Sequence, residues 1–193
     1  LIQKCIFMEV EGLSLRFDIK QNSNENVNIN DCKFINCGGI TTSKGIVVES
    51  SDNSNGIQMN ISNSQLINFY GNNERTGFLV YCSSSSASIS SQIQAFEFLN
   101  NQFSFDTYEK SSAAIHVTQI NKEMTISENV FKNCVGTTNS NTLFVDKLSK
   151  LDVFHCLFNG CGNRDGNTKE SASVIVANAE MKNVIIQLCT VQD

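Results

Sequence analysis

The segment Cys32-Lys33-Phe34-Ile35-Asn36-Cys37-Gly38-Gly39 returns twice later in the chain. It recurs as Asn129-Val130-Phe131-Lys132-Asn133-Cys134 and as Cys156-Leu157-Phe158-Asn159-Gly160-Cys161-Gly162. Each copy has an apolar residue five positions before its phenylalanine, and such pairs recur along the whole chain. The seven pairs are Ile2/Phe7, Ile29/Phe34, Ile61/Leu66, Ile93/Phe98, Ile126/Phe131, Val153/Phe158 and Ile186/Val191. Intervals of this size, 27 to 33 residues here, are typical of stacked solenoid repeats.

We call the second residue of each pair the anchor. A second apolar patch lies between successive anchors. Its five copies are Ile46-Val47-Val48, Phe78-Leu79-Val80, Ile115-His116-Val117, Leu143-Phe144-Val145 and Val174-Ile175-Val176. Each repeat therefore holds three short strand-like pieces, rich in β-branched and aromatic residues and without helical periodicity. We predict an all-β, right-handed parallel β-helix solenoid of about seven turns, with three short strands per turn. Residues 1–193 form a single β-helix segment, and we expect it to belong to a longer chain because the repeat reaches both termini without a capping element.

The aligned positions predict ladders of like residues along the solenoid axis. The interior valine ladder is predicted to contain Val48, Val80, Val117, Val145 and Val176. The anchor ladder is predicted to contain Phe7, Phe34, Leu66, Phe98, Phe131, Phe158 and Val191. The two members of each anchor pair are five positions apart, so a straight strand would turn them to opposite faces. The chain must therefore bend between them if both are to face the interior. Asn36, Asn68, Asn100 and Asn133 each follow an anchor by two residues, and we predict a structural corner ladder there because asparagine tolerates left-handed backbone angles.

The three quoted segments resemble the repeats of right-handed parallel β-helix proteins of the pectin-lyase-like architecture. They are similar in particular to the phenylalanine–asparagine repeats of polymorphic outer-membrane proteins and of large protist surface proteins. The bacterial repeats place asparagine three residues after phenylalanine and add a Gly-Gly-Ala-aliphatic element. In this chain asparagine stands two residues after, and Gly38-Gly39-Ile40 is the near match. The resemblance implies an extracellular or cell-surface location, whereas fold likeness alone assigns no activity.

Length, charge and composition exclude several classes. A chain of 193 residues with 40% apolar content can bury a sizeable core. Its net charge of −5, with only 14 scattered Lys and Arg residues, argues against a nucleic-acid partner. No apolar run approaches the roughly 20 residues of a membrane-spanning helix.

Many proteins of this architecture cleave polysaccharides, so an enzyme is the competing class. Cleavage requires convergent carboxylates with a base or cation beside them. The residues three positions before the anchors lie at the predicted bend and form one column along the solenoid axis. In five successive repeats they are Asp31, Asn63, Ala95, Glu128 and His155. Glu128 and His155 with nearby Asp152 are the best catalytic candidate, yet the favoured interpretation is an ordinary solvated face. We predict no catalytic residue, and no phosphate-loop or zinc-ligand spacing indicates a cofactor or metal site.

Carbohydrate binding without catalysis is a third possibility. We call the strand formed by the second apolar patch, which ends in valine in every copy, the valine strand. Three polar loops precede it and would emerge along one edge of the solenoid: Asn72–Thr76, Ser104–Ser112 and Asn163–Ser171. Loops on a rigid scaffold often carry recognition. Solvated turns explain the same segments equally well.

The eight cysteines follow the repeat. Cys5 with Cys32, Cys134 with Cys161, and Cys156 with Cys189 occupy equivalent columns in successive turns. Stacked strands about 4.8 Å apart permit a bridge at such positions but do not require one. We predict mostly buried free thiols, since small apolar side chains suit a narrow interior.

The valine strand is predicted to present an apolar outer face. If its first and third residues point inward, period two turns the middle residues outward. Those residues are Val47, Leu79, His116, Phe144 and Ile175. A contiguous apolar stripe usually marks a contact surface, so a protein partner is expected there: a second copy, a neighbouring domain or a lateral neighbour in a filament. The alternative is coverage by the chain's own long loops, such as Ser83–Ser91 or Ser104–Ser112. The expected role is a non-catalytic structural, adhesive or assembly module.

Overall fold

The computed structural model describes residues 1–10, 15–19, 26–37, 46–50, 57–68, 78–82, 93–104, 114–117, 123–136, 142–145, 150–163, 175–177 and 183–192. Within these ranges the chain forms strands and connecting bends and contains no helix. The strands assemble into three main parallel sheets that stack turn upon turn. This architecture is consistent with a parallel β-solenoid, and it confirms the all-β prediction.

The first sheet contains seven strands in the described part of the chain. They are β1 (Ile2–Gln3), β4 (Asn26–Asn30), β7 (Ile57–Ser62), β10 (Ile93–Leu99), β13 (Glu123–Ser127), β17 (Lys150–Phe154) and β21 (Asn183–Gln187). The second sheet follows it after a short corner and also contains seven strands. They are β2 (Ile6–Met8), β5 (Lys33–Ile35), β8 (Gln65–Ile67), β11 (Gln102–Ser104), β14 (Val130–Lys132), β18 (Leu157–Asn159) and β22 (Thr190–Gln192).

The third sheet has six strands among the described residues. They are β3 (Leu15–Ile19), β6 (Ile46–Ser50), β9 (Phe78–Cys82), β12 (Ile115–Val117), β16 (Leu143–Val145) and β20 (Ile175–Ala177). Two further strands, β15 (Val135–Gly136) and β19 (Gly162–Asn163), pair with each other just beyond the second sheet. Each strand therefore pairs with its counterpart one repeat away.

Alternation along the strands builds the core. In β13 the side chains of Met124 and Ile126 are buried while Glu123 is exposed. In β14 only the central residue, Phe131, is buried. Its ring stacks on Phe103 at 5.0 Å between centroids and on Phe158 at 4.8 Å. The anchor column is buried from Phe34 to Phe158, whereas its last predicted member, Val191, is in register but exposed.

The corner between the first and second sheets explains the odd spacing of the anchor pairs. Ile29 and Phe34 are both fully buried, although they are five positions apart and a straight strand would turn them to opposite faces. Asp31 lies between β4 and β5 with a φ of 53°, in the left-handed region. This one residue turns the chain so that both side chains face the interior. The predicted bend is confirmed.

The alignment of the fourth repeat is wrong by five residues. Phe98 pairs with Ile61 and Ile126, so it stands in the first-sheet column rather than in the anchor ladder. Phe103 takes the anchor position instead, beside Leu66 and Phe131. Ile93, Phe98 and Phe103 follow one another at five-residue intervals, so two overlapping pairs satisfy the same pattern.

This shift also changes which residues lie at the two corners. Asn100, with a φ of 53°, lies at the corner before the second sheet, and it replaces Ala95 in the column that holds Glu128 and His155. Asn36, Asn68 and Asn133 occupy the corner after the second sheet, where their φ angles are 50°, 49° and 54°. The single predicted asparagine ladder is therefore divided between two corners.

The valine ladder differs at its last member. Val48, Val80, Val117 and Val145 are register partners in the third sheet, but Ala177 and not Val176 pairs with Val145. At the other end the sheet gains β3, whose Phe17 pairs with Val48. The predicted ladder therefore holds for four of its five members.

Candidate functional site

The corner before the second sheet carries the acid–base candidates. Its seven residues share a positive φ and an exposed side chain, and they are Lys4, Asp31, Asn63, Asn100, Glu128, His155 and Leu188. The backbone N–H of Glu128 donates to the carbonyl of Phe154 at 3.0 Å, so Glu128 and His155 lie in neighbouring turns. Residues other than Gly, Asn and Asp adopt this conformation at a cost. The structure brings Glu128 and His155 close together, as the aligned column predicts.

Asp152 lies elsewhere, within strand β17. Its side chain is buried, and Lys150 Nζ donates to its Oδ2 at 2.5 Å. The other carboxylate oxygen, Oδ1, is buried and has no hydrogen-bond partner among the described residues. The hydrogen bond to Asp152, opposed by burial, raises the pKa of Lys150 above its usual value. No described contact joins Asp152 to Glu128 or His155, so the three residues do not form a triad.

Amide side chains link residues at or beside the corners of successive turns. Asn63 Nδ2 donates to Asn30 Oδ1 at 3.0 Å, and Asn100 Nδ2 donates to Asn63 Oδ1 at 2.9 Å. At the second corner Asn68 Nδ2 donates to Asn36 Oδ1 at 3.0 Å. These bonds run between successive turns, which confirms a structural role for the corner asparagines.

An interior column of small donors stands directly behind the first corner. Its members are Cys5, Cys32, Ser64, Asn101, Asn129, Cys156 and Cys189. Six of them donate to the carbonyl two residues earlier, across the left-handed residue. Asn101 donates instead to the Ile61 carbonyl one turn away at 2.7 Å. Cysteine, serine and asparagine are thus interchangeable here because each can donate to a corner carbonyl in addition to the backbone N–H of the preceding turn, as at Asn30, Ser62 and Ser127.

The central three members form a continuous polar chain. Asn101 Oδ1 accepts from the backbone N–H of Ser64, and Asn129 Oδ1 accepts from the backbone N–H of Asn101, both at 2.9 Å. Ser64 Oγ accepts in turn from the N–H of Cys32 at 3.1 Å. All of these polar side chains are buried. Sequence reasoning missed this chain because it took Phe98 as the fourth anchor, which puts Phe96 instead of Asn101 two residues before the anchor.

Seven of the eight cysteines have side chains that the structure describes, and all seven are free thiols. Cys32, Cys37, Cys134 and Cys156 are buried, and the other three are half-buried. Burial raises the pKa of Cys134 well above its usual value and that of Cys156 to about 11. The prediction of mostly buried free thiols is confirmed for these residues, while the side chain of Cys82 lies outside the description.

The predicted contact face is described only by its backbone register. Val47 pairs with Leu79, Leu79 with His116, and His116 with Phe144. The side chains of these four residues lie outside the described set, as do Asn72–Thr76 and residues 105–112 and 164–171 of the other polar loops. Ile175 does not belong to this column. It pairs with buried Leu143 and packs against the core, and Val176 stands beside Phe144 instead.

The described residues contain no group of three or more His, Cys, Asp and Glu side chains placed to hold a metal ion. They also contain no helix long and apolar enough to cross a membrane. The geometry defines an all-β protein of stacked parallel sheets, consistent with a parallel β-solenoid. No protein-family model, curated protein or solved structure matches the chain.

Proposed function

We propose that this chain is a right-handed parallel β-helix of the pectin-lyase-like kind, and that it acts as a non-catalytic structural, adhesive or assembly module of an extracellular or cell-surface protein. The observation that carries the proposal is the use of the interior polar groups. The buried serine and asparagine amides of the first corner and the described thiols satisfy backbone carbonyls or one another. These hydrogen bonds are structural contacts within turns and between successive turns.

The third sheet supplies a surface for assembly. Ile115, Leu143 and Val145 are fully buried at the first and third positions of β12 and β16. Strand alternation then predicts that the middle positions lie on the opposite face. Four of the five middle residues, Val47, Leu79, Phe144 and Val176, are apolar, and only His116 interrupts them. We propose that this face meets a protein partner, and the form tested first is a second copy of the chain.

Sedimentation velocity over a concentration series tests the assembly role. The wild-type chain should self-associate, and the double variant Leu79→Lys, Phe144→Lys should sediment as a monomer with an unchanged circular dichroism spectrum. Val130→Lys is the matched control, because Val130 is an exposed apolar residue on the second sheet. This control should associate as the wild type does. A monomeric wild type, or a double variant that associates normally, would reject the self-assembly proposal.

Polysaccharide cleavage or binding is the competing function. Incubation of the chain with polygalacturonate and other acidic and neutral polysaccharides, followed by assay of new reducing ends and unsaturated products, should give no turnover. Cleavage that disappears in Glu128→Gln would establish the enzyme class and overturn the non-catalytic proposal. Saturable binding without cleavage would replace the protein partner by a carbohydrate ligand.

A further inference from the structure

Two cysteines face each other across neighbouring turns at the corner after the second sheet. Cys134 precedes β15 and Cys161 precedes β19, and these two strands pair in register at Val135 and Gly162. The N–H of Gly162 donates to the carbonyl of Cys134 at 3.2 Å. Paired strands hold equivalent Cα atoms about 4.8 Å apart, and this separation lies within the roughly 4.4–6.8 Å range of disulfides.

The two thiols have the same orientation. Cys134 Sγ lies 3.5 Å from the carbonyls of Phe103 and Lys132. Cys161 Sγ lies 3.4 Å from the carbonyls of Phe131 and Asn159, which are the corresponding positions one turn further along. Each sulfur therefore stacks on the other in the direction of the solenoid axis.

A buried threonine holds the two corners together. Thr142 Oγ1 donates to the carbonyl of Cys134 and accepts from the N–H of Gly162 at 3.1 Å. Thr142 and Cys134 are fully buried, whereas Cys161 is half-buried. The backbone on both sides of the thiol pair is thus fixed, and Cys161 is the more exposed of the two cysteines.

The pair is also electrostatically unequal. Burial raises the pKa of Cys134 well above its usual value. The thiol of Cys134, as a hydrogen-bond donor to Cys161, lowers the pKa of Cys161. The more exposed cysteine is therefore the first to become a thiolate, and the thiolate is the attacking species in disulfide exchange.

We propose that Cys134 and Cys161 are a thiol–disulfide exchange pair that reacts with small-molecule disulfides and closes into a reversible cystine between successive turns. The Cys161 thiolate attacks one sulfur of the reagent, whose S–S bond breaks and releases a thiolate that takes a proton from solvent. Cys134 then gives up its proton and attacks the Cys161 sulfur, which expels the second reagent thiolate. Two protein thiols are oxidised, and one disulfide is reduced to two thiols.

Cys37 provides a matched control within the same chain. It is buried and its Sγ lies 3.4 Å from the Phe7 carbonyl and 3.3 Å from the Ile35 carbonyl, so it repeats the local geometry of the pair. Val10 stands at the equivalent position of the preceding turn. A thiol beside valine has no sulfur to exchange with in that direction.

Peptide mapping by mass spectrometry after equilibration of the folded chain in glutathione redox buffers tests the proposal. The wild type should form a Cys134–Cys161 cross-linked peptide that disappears when the reduced form of glutathione is in excess, while Cys37 stays unmodified. Cys134→Ser should stop at one glutathione attached to Cys161, and Cys161→Ser should bind none at Cys134. Cys37→Ser should leave the cross-link unchanged.

Serine is compatible with these corner columns, since Ser64 occupies the corresponding position of the first corner and donates to its carbonyl in the same way. Wild-type mapping decides the matter even if a variant fails to fold. Independent alkylation of Cys134 and Cys161 at the most oxidising buffer ratio would overturn the proposal. So would a Cys134→Ser chain in which Cys161 takes up no glutathione.

Discussion

Truncation of Phe131 to alanine gives the sharpest test of the interior ladder. Phe131 is fully buried, and both faces of its ring stack on other phenylalanines, with interplanar angles of 11° and 5°. Removal of a buried phenylalanine side chain costs about 3–5 kcal/mol. Each aromatic pair contributes about 0.5–1.5 kcal/mol beyond burial, so the loss of two pairs places Phe131→Ala at the upper end of that range. A loss of this size is a third or more of the stability of an ordinary domain, about 5–15 kcal/mol.

Two further variants separate ring stacking from burial. Leu66 occupies the same ladder, so Phe131→Leu should retain most of the burial and lose only the two ring pairs, which is about 1–3 kcal/mol. Lys132→Ala, at the next and exposed position, should change stability by no more than about 0.5 kcal/mol. Urea unfolding followed by circular dichroism measures all three, and hydrogen exchange should show loss of protection first in β14 and in its neighbours β11 and β18. The register is refuted if Phe131→Ala unfolds within about 1 kcal/mol of Lys132→Ala.

Three other variants address the corners. Asn101→Ala should destabilise the chain by about 1–3 kcal/mol, because it leaves the buried Ser64 N–H without its acceptor. Urea unfolding beside exposed Asn100→Gly checks this, and equal stability of the two would contradict it. Since burial raises the folded-state pKa of Cys156 from 9.0 to about 11, its neutral thiol contributes stability in full below pH 9, and this is lost as the pH rises through 11. The wild type should lose about 2 kcal/mol more than Cys156→Ser over that interval, and parallel pH curves would disprove the assignment. Glu128→Asn should raise the free energy of unfolding by about 1 kcal/mol, because asparagine tolerates its φ of 58°; Glu123→Asn, in the body of a strand, should bring no gain.

The repeat alone predicts most of the architecture, since like residues at equal intervals must stack when each turn buries the same face. The odd spacing of Ile29 and Phe34 even predicts where the chain bends, and the bend is made by Asp31, whose φ is in the left-handed region. The strand β3 could also have been predicted from the sequence, because Leu15, Phe17 and Ile19 alternate with polar residues. It escaped notice because Phe17 stands where the later copies carry valine.

Two errors of register show what periodicity cannot decide. In the fourth repeat, apolar residues five apart occur twice in succession, and hydrophobicity is equal for either pairing. The buried hydrogen bonds decide it, because only the later pairing brings Asn101 against Ser64 and Asn129. In the last repeat an unbroken apolar run, Val174 to Ala177, leaves the facing of each residue undetermined, since a slip of one residue exchanges the two faces of a strand.

The same hydrogen bonds explain why chemistry-bearing residues are poor guides to function in this chain. A cysteine or an asparagine that recurs at every turn suggests a metal site or a catalytic site when it is read alone. Behind the first corner, however, most such residues donate a second hydrogen bond to a corner carbonyl that already accepts a backbone N–H from the preceding turn. The column therefore accepts any small donor, and its composition varies from turn to turn without change of backbone. Functional chemistry is better sought where contacts go beyond this pattern, as at Cys134 and Cys161, where Thr142 adds hydrogen bonds to both corners that the corner itself does not require.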